Sequence, residues 1–261
     1  MRLLFLGDVV GKPGRRAVRA LLPKLIDRQQ VDLVVANGEN EADGAGLSPE
    51  GVQELQEAGV DVVTSGNHVW RRRESVDLLQ RDSRVLRPAN FPPQVPGRGS
   101  VVLETAAGIP VAVVSLMGRV FMDSLDCPFR AAETVLAEIG RRAHCVVVDM
   151  HAEATSEKAA MGWYLAGRVS AVLGSHTHVQ TADERVLPGG TAFVTDVGMC
   201  GPLDSVIGMD RETALRRFLT QMPGRFAVAT GPTLVQGVVV EIDADTGKAV
   251  SIERTQELYA P

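Results

Sequence analysis

Four of the five histidines stand in short polar motifs that follow apolar runs: Gly66-Asn67-His68, His151 after Cys145-Val146-Val147-Val148, and Ser175-His176-Thr177-His178. Two acidic turns, Gly7-Asp8 and Gly38-Glu39-Asn40, occupy the same place after two earlier apolar runs. Carboxylate, amide oxygen and imidazole delivered to the ends of successive strands are the materials of a two-metal site. Two neighbouring cations repel and need a shared anion, and a carboxylate can give one oxygen to each, which makes Glu39 the candidate bridge. Two divalent ions set against Asp8, Glu39 and one hydroxide leave a single net positive charge if the histidines are neutral, which suits a phosphodiester monoanion better than a neutral carbonyl substrate and leaves a monoester dianion open. In-line attack by metal-held hydroxide then needs an acid for the leaving oxygen. His68, one residue beyond Asn67, suits that role.

The ligand types favour manganese, iron or zinc over calcium or magnesium, and the lack of cysteine ligands argues against a structural zinc site. Taken singly, a histidine after a strand is more commonly a hydrogen-bonded loop residue, and Asp8 or Asn67 alone could cap a turn. Their joint occurrence at five strand ends reverses those odds. His144 begins a strand without acidic company and reads as structural. Gly7-Asp8-Val9-Val10-Gly11-Lys12-Pro13 is not a phosphate-binding P-loop, because its glycines are too close and Pro13 stands where a magnesium-binding Ser or Thr belongs.

The elements that must position these residues follow from periodicity. Leu3 to Leu6, Val31 to Ala36 and Val60 to Thr64 read as buried strands separated by helices over Pro13 to Arg28 and from Ser48-Pro49-Glu50 to Gly59. Such alternation implies parallel crossovers, with the polar motifs at the carboxyl ends of the strands around one crevice. A helix over Glu74 to Arg81, a Pro-rich loop from Arg87 to Gly99 and strands at Val101 to Glu104 and Val111 to Leu116 come next. Then follow helices near Phe129 to Arg142 and Glu157 to Ala166, and strands at Cys145 to Val148, Val169 to Leu173, Phe193 to Thr195 and Phe226 to Ala229. Val235 to Ile242 turns at Asp245-Thr246-Gly247 into Ala249 to Glu253 as a hairpin. The expected fold is α/β, with two packed mixed sheets flanked by helices in a single domain over residues 1–261.

The net charge of -5 argues against a protein that coats nucleic acid. No Cys-x-x-Cys pair occurs among Cys127, Cys145 and Cys200, which read as structural thiols of a reducing compartment, with Cys200 in a glycine-rich loop. The apolar N-terminal run is too short for a signal peptide or a membrane span, so a cytoplasmic protein is expected. Arg71-Arg72-Arg73 reads as a solvated first helical turn rather than a substrate clamp.

The chain resembles the calcineurin-like metallophosphoesterases, and among them the YmdB-type family over its whole length. The resemblance rests on Gly7-Asp8-Val9-Val10-Gly11, Asn37-Gly38-Glu39-Asn40, Ser65-Gly66-Asn67-His68, His151 through Lys158, Gly174-Ser175-His176-Thr177-His178 and Thr195-Asp196-Val197-Gly198-Met199. It implies that Asp8, Glu39, Asn40 and His178 hold one ion, that Glu39, Asn67, His151 and His176 hold the other, and that His68 is the catalytic acid. Val10 departs from the superfamily's usual histidine, Glu39 from its usual aspartate, and Val69 from the acid that usually follows the Gly-Asn-His motif. The family further implies iron or manganese and phosphodiesterase activity on cyclic nucleotides, particularly 2′,3′-cyclic phosphates. A phosphomonoesterase or nucleotidase, or a metal-containing regulatory protein without catalysis, are the competing readings. The expected partner is a small phosphodiester, with neither a membrane nor stably bound nucleic acid, and a homo-oligomer is left open.

Overall fold

The computed structural model describes residues 1–260. The first half runs β1 (Arg2–Leu6), β2 (Asp8–Val9), α1 (Gly11–Gln29), β3 (Leu33–Asn37), α2 (Pro49–Glu57), β4 (Val62–Thr64), α3 (Glu74–Arg81), β5 (Ser100–Glu104) and β6 (Pro110–Met117). The second runs α4 (Pro128–Ile139), β7 (Cys145–His151), α5 (Thr155–Leu165), β8 (Ala171–Ser175), β9 (Arg185–Leu187), β10 (Thr191–Val194), β11 (Met199–Pro202), α6 (Arg211–Thr220), β12 (Thr233–Ile242) and β13 (Ala249–Tyr259).

Two sheets form. One has the order β2-β11-β12-β1-β3-β4 with β13 added on β12, and the other has the order β5-β6-β7-β8-β10-β9. Both are mixed: β1, β3 and β4 are parallel, as are β6, β7 and β8, whereas β12 is antiparallel to β1, β11 and β13. Period-two alternation sorts the strand residues between two apolar layers. Leu3, Phe5, Leu33 and Val35 meet Val113, Val147 and Leu173 of the other sheet in the central core. Leu4, Leu6, Val34 and Ala36 face the opposite way, onto Val18, Leu22, Val52 and Leu79 of α1, α2 and α3. Val114, Val146 and Val148 likewise meet Ala132, Val135, Met161 and Leu165 of α4 and α5. Coverage on both faces explains why these strands read as continuous apolar runs.

Ser48 caps α2 as expected, its hydroxyl accepting the Gly51 N–H at 3.1 Å. Some segments depart from expectation, among them β2, β9 and the end of β13, which the sequence reading lacks. Phe226 to Ala229 is not a strand; the stretch from Gln221 to Ala227 is largely exposed, and only an isolated bridge joins Val228 to Met209. Pro223-Gly224 before it and Gly231-Pro232 after it limit ladder formation. Cys200 belongs to β11, paired to β12 and β2, rather than to a loop. Helix α6 is an additional element in which Ala214 alone is buried while Leu215, Phe218 and Leu219 are exposed, and Asp210 caps it by accepting the Thr213 N–H at 3.0 Å. Among the described residues no helix is long and apolar enough to cross a membrane.

Candidate metal centre

The carboxyl ends of the parallel strands of both sheets meet at one place. Asp8 follows β1, Glu39 and Asn40 follow β3, Asn67 and His68 follow β4, His151 ends β7, and His176 and His178 follow β8. All the candidate residues come together there. Glu39, His151 and His176 offer ligand atoms within 4.8 Å of one another. Asp8 and His178 adjoin them, with Asp8 Oδ1 3.5 Å from His178 Nε2, and Asn67 Oδ1 lies 3.0 Å from His151 Nε2. Asp8, Glu39 and His151 are fully buried.

Each clustered imidazole has one nitrogen committed to the protein. His151 Nδ1 lies 2.9 Å from Ser175 Oγ, whose hydroxyl donates to Asp149 Oδ1 at 2.6 Å. With its only proton spent on Asp149, Ser175 can only accept from His151, which leaves the Nε2 lone pair facing the cluster. His178 Nδ1 donates to the Ile207 carbonyl at 2.9 Å, and His176 Nε2 faces Glu153 Oε2 at 3.2 Å. His151 Nε2 and His176 Nδ1 therefore confront each other at 3.1 Å, with Glu39 Oε1 3.2 Å from the former. Acceptors gathered this closely favour a cation between them. Ligands about 2.1 Å from one ion sit roughly 3–3.5 Å apart, the spacing found here. The donor set fits transition-metal ions.

Electrostatics agrees. Burial alone would lower the His151 pKa, but Glu39, with Asp8 and Asp149, lifts it to about 9, so a proton substitutes for the cation in the metal-free protein. Burial and the neighbouring His151 push His176 down to about 4. Against its burial, Glu39 is held well below the usual carboxylate range by His151 and His68. Burial raises Asp149 to about 6.

His68 borders the candidate ligands Glu39 and Asn40. Its Nδ1 lies 2.7 Å from Asn40 Oδ1 and 3.3 Å from Glu39 Oε1, and its main-chain N–H donates to Glu39 Oε2 at 3.1 Å. Asn40 thus supplies the orienting partner that Val69, buried in the core, does not. The Asn40 amide nitrogen faces Asp8 Oδ1, Glu39 Oε1 and His178 Nε2 at 3.5, 3.4 and 3.2 Å, so ligation through its oxygen requires the amide to turn over. Val10 is packed against Gly201 and Gly208, leaving the first candidate ligand set without a second imidazole.

Several residues that shape the centre carried no assigned role in the sequence reading. Asp196 accepts from Thr177 N–H at 3.0 Å, Thr177 Oγ at 2.6 Å, Gly198 N–H at 2.8 Å and Lys158 Nζ at 2.8 Å, and so clamps the turn between the two histidines. That turn is strained, with φ of 98° at His176 and 64° at His178. Glu41 pairs with Arg15 at 2.9 Å and accepts from the Ser48 hydroxyl at 2.9 Å, anchoring the loop that presents Glu39 and Asn40. The recurring buried acid between motif residues was the available signal; the partners are set by tertiary structure. Gly66 is required by close approach, since a Cβ there would meet His151 Cδ2 at 2.0 Å. Cys200 is no nucleophile: burial pushes its thiol up to about 12.

Comparison with known proteins places this geometry. A family model described as YmdB-like protein matches residues 4–255. The chain is 50% identical over 254 residues to a Bacillus subtilis (strain 168) protein named 2′,3′-cyclic-nucleotide 2′-phosphodiesterase, covering 97% of this chain and 96% of that one. It is also similar to a solved hypothetical protein from Thermus thermophilus, with 48% identity, a TM-score of 0.94 and 100% coverage of both chains. The calcineurin-like phosphoesterase YfkN from Bacillus subtilis shares the fold at 11% identity and a TM-score of 0.52, over 100% of this chain and 90% of that one. The chain belongs to the YmdB-like protein family and is a phosphoester hydrolase of calcineurin-like fold.

Proposed function

We propose that this chain is a dinuclear phosphodiesterase that opens 2′,3′-cyclic nucleotides, with His68 as the general acid. Asp8, Asn40 and His178 would hold one ion, Asn67, His151 and His176 the other, and Glu39 both. Iron or manganese suits this mixture of imidazole and oxygen donors, with zinc as the alternative. When bound, the ions would supply the charge that neutralises the phosphate and makes water nucleophilic near neutral pH.

The observation that carries the reading is the setting of His68. With the Asn40 amide turned so that its oxygen faces the ion, its nitrogen donates to His68 Nδ1, and the exchangeable proton for chemistry resides on Nε2, which has no protein partner among the described residues. His68 lines a cavity of about 270 Å³ together with Glu39, Glu153 and His176. A wider cleft of about 820 Å³ shares His68, Gly44 and Met209 and adds Arg71, Arg225 and Phe226, giving room for a nucleoside and an aromatic ring for its base. As the water oxygen bonds to phosphorus and the P–O2′ bond breaks, Nε2–H donates to the departing O2′, leaving a 3′-phosphomonoester. Residues 1–261 are read as one domain that works in the cytoplasm.

The test compares turnover of 2′,3′-cyclic AMP, bis-p-nitrophenyl phosphate and p-nitrophenyl phosphate by metal-reconstituted protein. Hydrolysis of the two diesters is expected. Turnover of the monoester alone would overturn the assignment in favour of a phosphatase.

A further inference from the structure

Away from the metal centre, the Pro-rich loop before β5, the segment after β6 and the exposed side of α4 enclose a cavity of about 870 Å³. Four guanidiniums line it: Arg87, Arg98, Arg119 and Arg130. None forms an ion pair among the described residues; the arginines that do are Arg15, Arg28, Arg72, Arg84, Arg168 and Arg254. Arg87 is the telling member. It is only 5% exposed, and it donates Nε to the Pro96 carbonyl and Nη1 to the Pro88 carbonyl, both at about 3 Å. Its Nη2 has no protein acceptor among the described residues. Burying a guanidinium without a carboxylate is costly unless an anion completes it, and carbonyls that fix two of its nitrogens hold the rest of the fork in place.

The remainder of the lining fits a ligand with one charged end. Asp126 and Glu138 offset two of the four positive charges, leaving a surplus that matches a dianion. Phe91, Pro93 and Leu125 supply apolar wall, and the volume lies in the range of small-ligand sites. The N-terminus of the twelve-residue α4 opens at the same place, with Cys127 as its cap residue. The Arg130 main-chain N–H, with that of Phe129 and the charges of Arg119 and Arg130, lowers the Cys127 pKa, so a thiol there already reports an anion-favouring field. Asn90 fixes the shape of the wall, bonding the Met117 main chain through both amide atoms at 2.8 and 2.9 Å.

We propose that this cavity is a second binding site, separate from the metal centre, for a phosphomonoester dianion of mononucleotide size, held by Arg87, Arg98, Arg119 and Arg130. The site needs none of the metal ligands and does not depend on which ester the enzyme cleaves.

Isothermal titration of the metal-loaded protein with 5′-AMP, inorganic phosphate and adenosine tests it. An Arg98→Ala/Arg130→Ala variant replaces two exposed side chains and spares the buried Arg87, so folding is not at stake. This variant should lose one equivalent of AMP per chain, or bind it about 10- to 100-fold more weakly, while hydrolysis of bis-p-nitrophenyl phosphate stays within about twofold of wild type. Inorganic phosphate should compete with AMP for that equivalent, and adenosine should not. Identical AMP isotherms for wild type and variant would overturn the proposal. So would adenosine binding as tightly as AMP, or loss of turnover together with binding. If neither protein hydrolyses any diester, the titration still reports on the cavity.

Discussion

Asp196 offers the sharpest separation between holding the fold together and holding the metals. Its side chain and that of Lys158 are 0% and 1% exposed and 2.8 Å apart. Replacing Lys158 with Met leaves a buried carboxylate, but one that keeps three donors from Thr177 and Gly198. Breaking one side of a buried pair costs about 3–5 kcal/mol, and the surviving donors place Lys158→Met near the lower end. Asp196→Ala does more. It strands the ammonium and also frees Thr177, the residue between His176 and His178, so its stability loss should lie near the upper end of that range. Releasing a strained turn that presents two proposed ligands should weaken metal binding by about 10- to 100-fold, the usual effect of removing a partner that orients a ligand. Urea denaturation gives the stability of each variant, and metal titration under conditions where both remain folded gives the affinity. Both variants should be destabilised, but Asp196→Ala alone should lose metal affinity beyond tenfold. Wild-type metal affinity in Asp196→Ala would refute the reasoning.

Three further outcomes follow from the same geometry. His68→Ala should retain both ions while turnover falls by about 10²- to 10⁴-fold, and unchanged turnover would remove His68 from the chemistry. Ser175→Ala releases His151 Nδ1 and should lower metal affinity by about 10- to 100-fold with little change in folding; calorimetric titration showing no loss would contradict the tautomer assignment. In the metal-free protein the folded-state pKa of His151 is raised from 6.5 to about 9, so its stabilisation is complete below pH 6.5 and disappears as pH climbs through 9. Scanning calorimetry should record a melting temperature that falls across this window without metal and much less with it, because the ion takes the place of the proton. A rise in the metal-free protein would reverse the assigned sign.

The candidate ligands were legible because ligation constrains residue type, and because strands covered on both faces are unmistakable: Val34, Val35 and Ala36 lead to Glu39. The supports were harder to read. Asp196 is distant from Lys158 in sequence, and only the parallel pairing of β8 with β10 brings its loop to the His-Thr-His turn. Asn40 illustrates a different difficulty. Its presence beside Glu39 suggested a ligand, yet its 2.7 Å contact with His68 adds an orienting role that depends on which way an amide faces. Helix α6 carries Leu215, Phe218 and Leu219 at i, i+3 and i+4, a helical signal in the sequence, yet the fold leaves all three exposed. Strand β11 was hidden by Gly201 and Pro202, which carry little strand signal and are held by pairing to β12.

The most direct test of the proposed dinuclear centre is elemental analysis of the purified, reconstituted enzyme, read beside its hydrolysis of 2′,3′-cyclic AMP. Two transition-metal ions per chain are expected, with turnover abolished by chelation and both occupancy and turnover reduced in Glu39→Gln. Full turnover with one ion or none, or a Glu39→Gln protein that keeps two ions and wild-type activity, would contradict a site built around a shared Glu39.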